Sequence, residues 1–155
     1  MKAPNAANLK ATGILDCSEP SISGLATEFR RQHRQGRELL KAAHRHLVEV
    51  VKPVYTLDEL QPASHTLRKR MGSCSQRMAC LEAFSRAAGI ATRSRALRVS
   101  GRFWYPRFRV LSLFIPRSIL LLWPQFYFDG AWVDFDDLYG FAGGARRTSR
   151  SRILE

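Results

Sequence analysis

The residues best suited to covalent chemistry lie in one stretch, Gly72-Ser73-Cys74-Ser75-Gln76, where a cysteine follows a glycine and opens an apolar-patterned run. A thiolate, not a thiol, attacks a carbonyl carbon, so a catalytic cysteine needs surroundings that favour the anion. The start of a helix supplies them through backbone N–H groups without intrahelical partners and through the positive end of the aligned peptide dipoles. Ser73 and Gln76 have the S-x-x-Q spacing of a capping box, which predicts Ser73 at the N-cap and Cys74 at the first helical position. No acid follows until Glu82, and Arg70 and Arg77 lie close in sequence. Gly72 permits close approach of another backbone or of a substrate, and the amides of residues 73–75 are candidates for part of an oxyanion hole. At about 100° per residue, Met78, Leu81, Ser85 and Ala88 fall near Cys74 around the helix axis, which predicts a thiol pointing with the buried face of an amphipathic helix. The competing assignment for Cys74 is packing alone, because free cysteine is among the most buried residue types. Cys80 lies on another side of the helix and is assigned to packing, and Cys17 to the approach to an earlier helix.

A cysteine nucleophile ordinarily works with a base and a group that orients the base. The four histidines, His33, His44, His46 and His65, all precede Cys74. The first three fall on two early helical segments, where solvated or partly buried helix histidines are the expected assignment. His65 lies nine residues before Cys74 in a connecting segment and could fold back toward it. Cysteine and histidine spacings do not match a zinc site, and no cofactor motif is present, so neither metal nor cofactor is expected.

The elements that must hold Cys74 are legible on both sides of it. Residues 1–13 lack apolar periodicity and are expected to be disordered. Pro20 with Ser18 and Ser21 signals a helix start, followed at helical spacing by Ile22, Leu25, Ala26 and Phe29. After Gly36, Leu39, Leu40, Ala43, Leu47, Val50 and Val51 keep one face apolar until Pro53 stops a second helix. The stretch "YTLDELQPASHTLRKRMG" contains Pro62 and reads as a loop with one short helical turn, and Gly89 ends the Cys74 helix. From Ala91 the pattern turns strand-like through Arg93, Arg95, Leu97 and Val99; "GRFWYPRF" follows as an aromatic loop, then "RVLSLFI" and "SILLLWPQFYF". Asp129-Gly130 is a two-residue hairpin signal between "QFYF" and "AWVDF". Helices first and a mainly antiparallel sheet afterwards define an α+β fold class, with one domain over residues 14–141 and a flexible basic tail over 142–155.

The chain has 155 residues, enough for one hydrophobic core, and a formal net charge of +12. Such charge suits an acidic partner, but the arginines are spread along the chain without a nucleic-acid motif, so a solvated basic surface is preferred over nucleic-acid binding. The apolar run 111–123 is interrupted by Pro116 and Arg117 and is shorter than the roughly 20 residues of a membrane span. Three cysteines cannot all pair and no secretion signal opens the chain, which fits a soluble cytoplasmic protein.

Two blocks carry a family resemblance. "GSCSQRMACLEAFSRAAGIATRSRAL" resembles the core of the transglutaminase-like superfamily, a branch of the papain-like cysteine-nucleophile fold, in its glycine, cysteine, helix and following "GIATR". "LLWPQFYFDGAWVDFD" resembles that family's second block, and together with the upstream helices the likeness runs over about residues 10 to 140. The resemblance implies Cys74 as nucleophile and Asp136 as the carboxylate orienting a histidine, with Asp134 as fallback. The histidine position itself is occupied by Leu121, and the motif's glutamate by Gln125. The implied chemistry is acyl transfer, or amide or thioester hydrolysis, through Cys74 with an incomplete triad. The alternative is a catalytically degenerate binding module. Ser73, Gln76, Trp104, Tyr105, Trp123 and Gln125 are candidates for the cleft, and the expected partner is a peptide, amide or thioester-type substrate or an acidic carrier protein.

Overall fold

Among the described residues four helices precede the three-stranded sheet, and the last of these is the one that carries Cys74. A computed structural model describes residues 3–33, 36–54, 58, 60–100 and 118–139, with 97–100 and 118–122 as backbone only. Helix α1 spans Pro20–Gln32, with the proline at the first position, where its missing N–H costs nothing. Helix α2 spans Arg37–Val50 after Gly36, whose φ of 82° is a left-handed value suited to glycine. Helix α3 is Ala63–Lys69 and α4 is Cys74–Ala87. The sheet has the order β3-β4-β5, antiparallel throughout, with β3 at Ala91–Ser100, β4 at Ser118–Phe128 and β5 at Ala131–Asp134. This is the α+β architecture that the pattern predicts.

Helix α4 is the hub. It packs against α1, α2 and α3 on one side and against β3 and β4 on the other. Residues Cys80, Leu81, Glu82, Ala83, Phe84 and Ser85 are consecutive and all buried, so α4 is enclosed on every side over residues 80–85. A one-sided amphipathic helix, as the spacing predicts, would leave two or three of those six to solvent. The correction follows from layering: a helix held between other helices and a sheet has no wet face. The core around it joins Ile22 and Ala26 of α1, Leu39, Leu40, Ala43 and Leu47 of α2, and Phe126 and Phe128 of β4.

The stretch between α2 and α4 holds more structure than its turn formers suggest. Pro62 is the N-cap of α3, so a proline read as an interrupter instead starts a helix. Arg70 ends α3 in the left-handed conformation (φ 54°), and Met71–Gly72 then form β2, a parallel two-residue pair with β1 at Lys52–Pro53. The Lys52 amide donates to the Arg70 carbonyl (2.9 Å) and the Val54 amide to the Gly72 carbonyl (3.1 Å). The lead-in to Cys74 is thereby tied to the end of α2.

Residues before Gly13, expected to fray, carry a 3-10 turn at Ala6–Asn8 capped by Asn5. The Asn8 side-chain amide donates to the Thr92 carbonyl of β3 (3.1 Å), and Arg86 of α4 donates to the Lys10 carbonyl (2.6 Å). Asp129 and Gly130 form the predicted hairpin turn, with φ of 53° and 76°, the two positive values a type I′ turn requires. Gly89, at φ +84°, follows the Ala88 C-cap of α4 as expected. The expected strand "RVLSLFI", the aromatic loop and the tail 142–155 lie outside the described residues.

Candidate functional site

Position 73 is an N-cap and position 74 the first helical residue, as the capping box predicts. The Ser73 hydroxyl accepts the Gln76 amide (3.2 Å), and the Gln76 side-chain oxygen accepts the Ser73 amide (2.9 Å). Gln76 is buried and also donates its Nε2 to the Asp58 carbonyl (2.6 Å). Its role is therefore to clamp the turn rather than to line a cleft. Because the Ser73 N–H is committed to Gln76, it drops out of the expected oxyanion hole. The amides of Cys74 and Ser75 remain, as the first two of the helix, without an intrahelical acceptor.

Cys74 itself is exposed, and this corrects the expected buried orientation. At the first turn of α4, the space beside the helix toward the core is taken by Gly72, Ser73 and Gln76, all buried. The angular relation of Cys74 to Leu81 and Ser85 holds, but the layers that cover those residues do not extend to the helix end. Gly72 is close-packed, as its type suggests, though against protein. A methyl group there would stand 2.6 Å from the Thr66 Cγ2 on α3.

The other two thiols are structural. Cys80 is fully buried and donates to the Ala63 carbonyl (3.3 Å), and burial pushes its thiol up to about 12. Cys17 is buried in the turn before α1, its sulfur 3.9 Å from the Leu9 carbonyl.

The second block of the sequence converges on β4 and β5. Gln125 and Asp134 are cross-strand partners, and the Gln125 Nε2 donates to Asp134 Oδ1 (2.7 Å). Arg93 of β3 donates its Nε–H to the side-chain oxygen Oε1 of Gln125 (2.7 Å) while its guanidinium lies 4.2 Å from the centre of the Trp132 ring. Arg95 pairs with Asp134 at 3.3 Å. Gln125 is buried, and together with Asp134 it is engaged by two arginines, which accounts for both side chains as a cross-strand brace. Asp136 instead is exposed at the start of a 3-10 turn, Asp136–Tyr139, whose Leu138 is buried in the core. Its carboxyl is held above the usual range by partial burial first, and then by the charges of Asp134 and Asp137 beside it.

Leu121 pairs in register with Leu97, and its side chain lies outside the described residues, as do Trp104 and Tyr105. Trp123 is half-buried and packs edge-on against Phe135 (5.6 Å), which in turn packs edge-on against His44 (4.9 Å). Its surroundings are those of a packed aromatic cluster.

His44, set aside on sequence grounds as a helix histidine, is the histidine with the most developed surroundings. Its Nδ1 is hydrogen-bonded to the Tyr139 hydroxyl, and the ring lies between α2 and the Asp136–Tyr139 turn. Burial, with the charge of Arg77 adding to it, holds His44 below its ordinary value, so it is neutral at pH 7. Nothing in the local sequence marks this, because its partners come from 33 to 95 positions away. His65 lies on α3, and His33 and His46 flank Phe29 at 5.7 and 5.2 Å. Among the described residues, no group of three metal-binding side chains comes together, and no helix is long and apolar enough to cross a membrane.

Comparison with known proteins agrees with this layout. No curated protein and no solved structure matches the chain. The transglutaminase-like superfamily does, through a family model that covers residues 23–137, from the first turn of α1 to the turn that follows β5. That match takes in the Cys74 helix, the three-stranded sheet and both quoted motifs, and it covers well over half of the sequence: the chain belongs to the transglutaminase-like superfamily.

Proposed function

We propose that this domain carries out thiol-dependent acyl chemistry through Cys74, taking acyl groups from thioester-type donors in preference to amides. The observation that carries this reading is the exposed thiol at the open first turn of α4, flanked by the amides of Cys74 and Ser75. The sulfur, as thiolate, attacks the donor carbonyl carbon while those amides face the developing oxyanion. The donor C–S bond breaks, the donor sulfur leaves as a thiolate, and an amine or water then resolves the acyl-enzyme. A thiolate leaves without being protonated, whereas an amide nitrogen requires a proton. General acid–base help is typically worth about 10² to 10⁴ in rate, so with Leu121 at the family's histidine position the amide route loses more. Peptides or acidic carrier proteins bearing such acyl groups suit the +12 charge, and three free cysteines suit a reducing cytoplasm.

The engagement of Asp134 and Gln125 by Arg95 and Arg93 favours a second reading, a binding module that retains the fold without turnover. Thiol titration of the folded protein with a small disulfide reagent, combined with thioester turnover, separates the two. The first reading expects one fast thiol, lost in Cys74→Ser together with acyl-enzyme formation. Thioester turnover unchanged in Cys74→Ala, or no fast thiol in the folded chain, leaves only the binding module.

A further inference from the structure

The stretch between α2 and α4 exposes apolar side chains and cations together. Among the described residues five large hydrophobic side chains are exposed, and three of them, Val54 (37%), Leu60 (76%) and Met71 (48%), fall in this one stretch. Single exposed apolar residues are ordinary, whereas a cluster rimmed by charge marks a contact surface. The β1–β2 register shows how the cluster forms. Lys52 pairs with Met71 and Pro53 with Gly72, and partners across a ladder project to the same face. Gly72 is buried, and a methyl group on it would meet Thr66 of α3 and Gln76 of α4. Lys52 and Met71 therefore stand on the outer face of the ribbon, and both are exposed. Val54, two positions after Lys52, returns to that face, with its amide still bonded to the Gly72 carbonyl.

Arg70 ends α3 and gives its carbonyl to the Lys52 amide (2.9 Å), so these two cations flank Met71. Arg68 and Lys69 are exposed in the last turn of α3. The Lys69 Nζ donates to the Gln61 Oε1 (3.3 Å), which sets Leu60 beside this end of the helix. None of the four cations forms an ion pair among the described residues. The Asp58 carboxylate accepts the Leu60 amide through Oδ1 (3.3 Å).

We infer that this face docks an acidic protein segment bearing apolar side chains, with Lys52 and Arg70 meeting its carboxylates and Met71, Val54 and Leu60 receiving its apolar groups. An apolar centre inside a charged rim is the composition of a protein interface, and a methionine adapts to apolar partners of varied shape. The unpaired cations supply the charge complementarity that steers an acidic segment to the face. Other occupants fit less well. A second copy of a chain carrying +12 would set like charges against each other. Nucleic acid is held through phosphates and aromatic stacking, which leaves three aliphatic side chains without a purpose. A lipid surface receives the apolar face of an amphipathic helix, and these residues stand on a two-residue ribbon and a loop. The inference deepens the acyl-chemistry reading by locating where the acyl-bearing partner docks, and it rests on that reading only for the acyl group.

The test is fluorescence anisotropy of the full chain with labelled peptides: one of Glu and Leu, one of Glu and Ser with the same charge, and one of Lys and Leu. The Glu/Leu peptide should bind tightest and the Lys/Leu peptide not at all. Arg70→Glu turns an attraction into a repulsion, so it should weaken Glu/Leu binding about tenfold at low salt, an effect that shrinks at about 0.5 M NaCl. Arg31→Glu, the same change of charge at an exposed position on α1, should weaken it far less. Met71→Ser should lower affinity for the Glu/Leu peptide and leave the Glu/Ser peptide unchanged. An unchanged urea midpoint shows that each variant is folded. Equal losses in Arg70→Glu and Arg31→Glu, or a Glu/Leu affinity unmoved in Met71→Ser, overturn the inference. So does Arg70-dependent binding seen only with a single-stranded oligonucleotide, or only with vesicles of phosphatidylcholine and phosphatidylglycerol in equal parts. Face-dependent peptide binding without thioester turnover would sink the acyl-chemistry reading and leave the docking face standing; turnover without such binding would do the reverse.

Discussion

Replacing Gln76 by alanine tests the clamp that holds the cysteine turn. Gln76 is 4% exposed and its side chain makes two bonds, accepting the Ser73 amide and donating to the Asp58 carbonyl. Alanine removes both. The Ser73 amide is then left in a site that is 8% exposed, at a cost of about 1–3 kcal/mol for an unsatisfied buried donor. Asp58 is exposed, so its carbonyl can turn to water and adds only about 0.5 kcal/mol. The buried methylenes of Gln76 contribute about 1 kcal/mol more, and rotamer freedom no longer lost on folding returns a similar amount. The net expectation is about 2 kcal/mol. In urea, with a slope of about 2 kcal/mol per M for a domain of this size, the midpoint should fall by about 1 M. Ser73→Ala alone should cost about 1 kcal/mol, and the double variant less than the sum, because both side chains serve the same turn. A Gln76→Ala loss under about 0.5 kcal/mol would refute the reasoning, since it would mean that the Ser73 amide finds water and that the turn is not closed by this side chain.

Two further perturbations probe the surroundings of the site. Glu82 is buried, accepts from the Ser94 hydroxyl (2.9 Å) and keeps one carboxylate oxygen without a partner; burial pushes its carboxyl up, opposed by the Ser94 hydrogen bond, the polar Thr92 side chain and the charge of Arg86. An acid with a raised folded-state value binds its proton more tightly in the native chain, so the stability it contributes is complete below the ordinary value of 4.5 and is lost as pH rises through the folded one. Glu82→Gln should therefore flatten the decline in urea midpoint above pH 4.5, and identical pH profiles would contradict the assignment. Phe84, 1% exposed and edge-on to Phe29 at 5.7 Å, joins α4 to α1; Phe84→Ala should cost about 3–5 kcal/mol and lower Tm by roughly 10 °C or more, whereas a drop of a few degrees would mean the layers close over the gap.

Local sequence determined those features whose hydrogen bonds close within a few residues. Ser73 and Gln76 are three positions apart, so the capping box and the placement of Cys74 at the helix start are written in five residues. Asp129-Gly130 tolerates the positive φ values that join β4 to β5, and Pro20 and Gly89 mark helix ends for equally local reasons. The resemblance of two short blocks likewise sufficed for the family. Tertiary structure decided what depends on elements far apart in the chain. Whether Cys74 is covered was settled by where the surrounding layers stop, and the enclosure of residues 80–85 by helices before them and a sheet, Ala91 to Asp134, after them. The brace of Arg93, Gln125, Asp134 and Arg95 and the Tyr139 partner of His44 arise from contacts between separate elements. Periodicity can say which side of a helix is apolar, but not how many neighbours will pack around it, because burial is a property of the assembled layers rather than of any one segment.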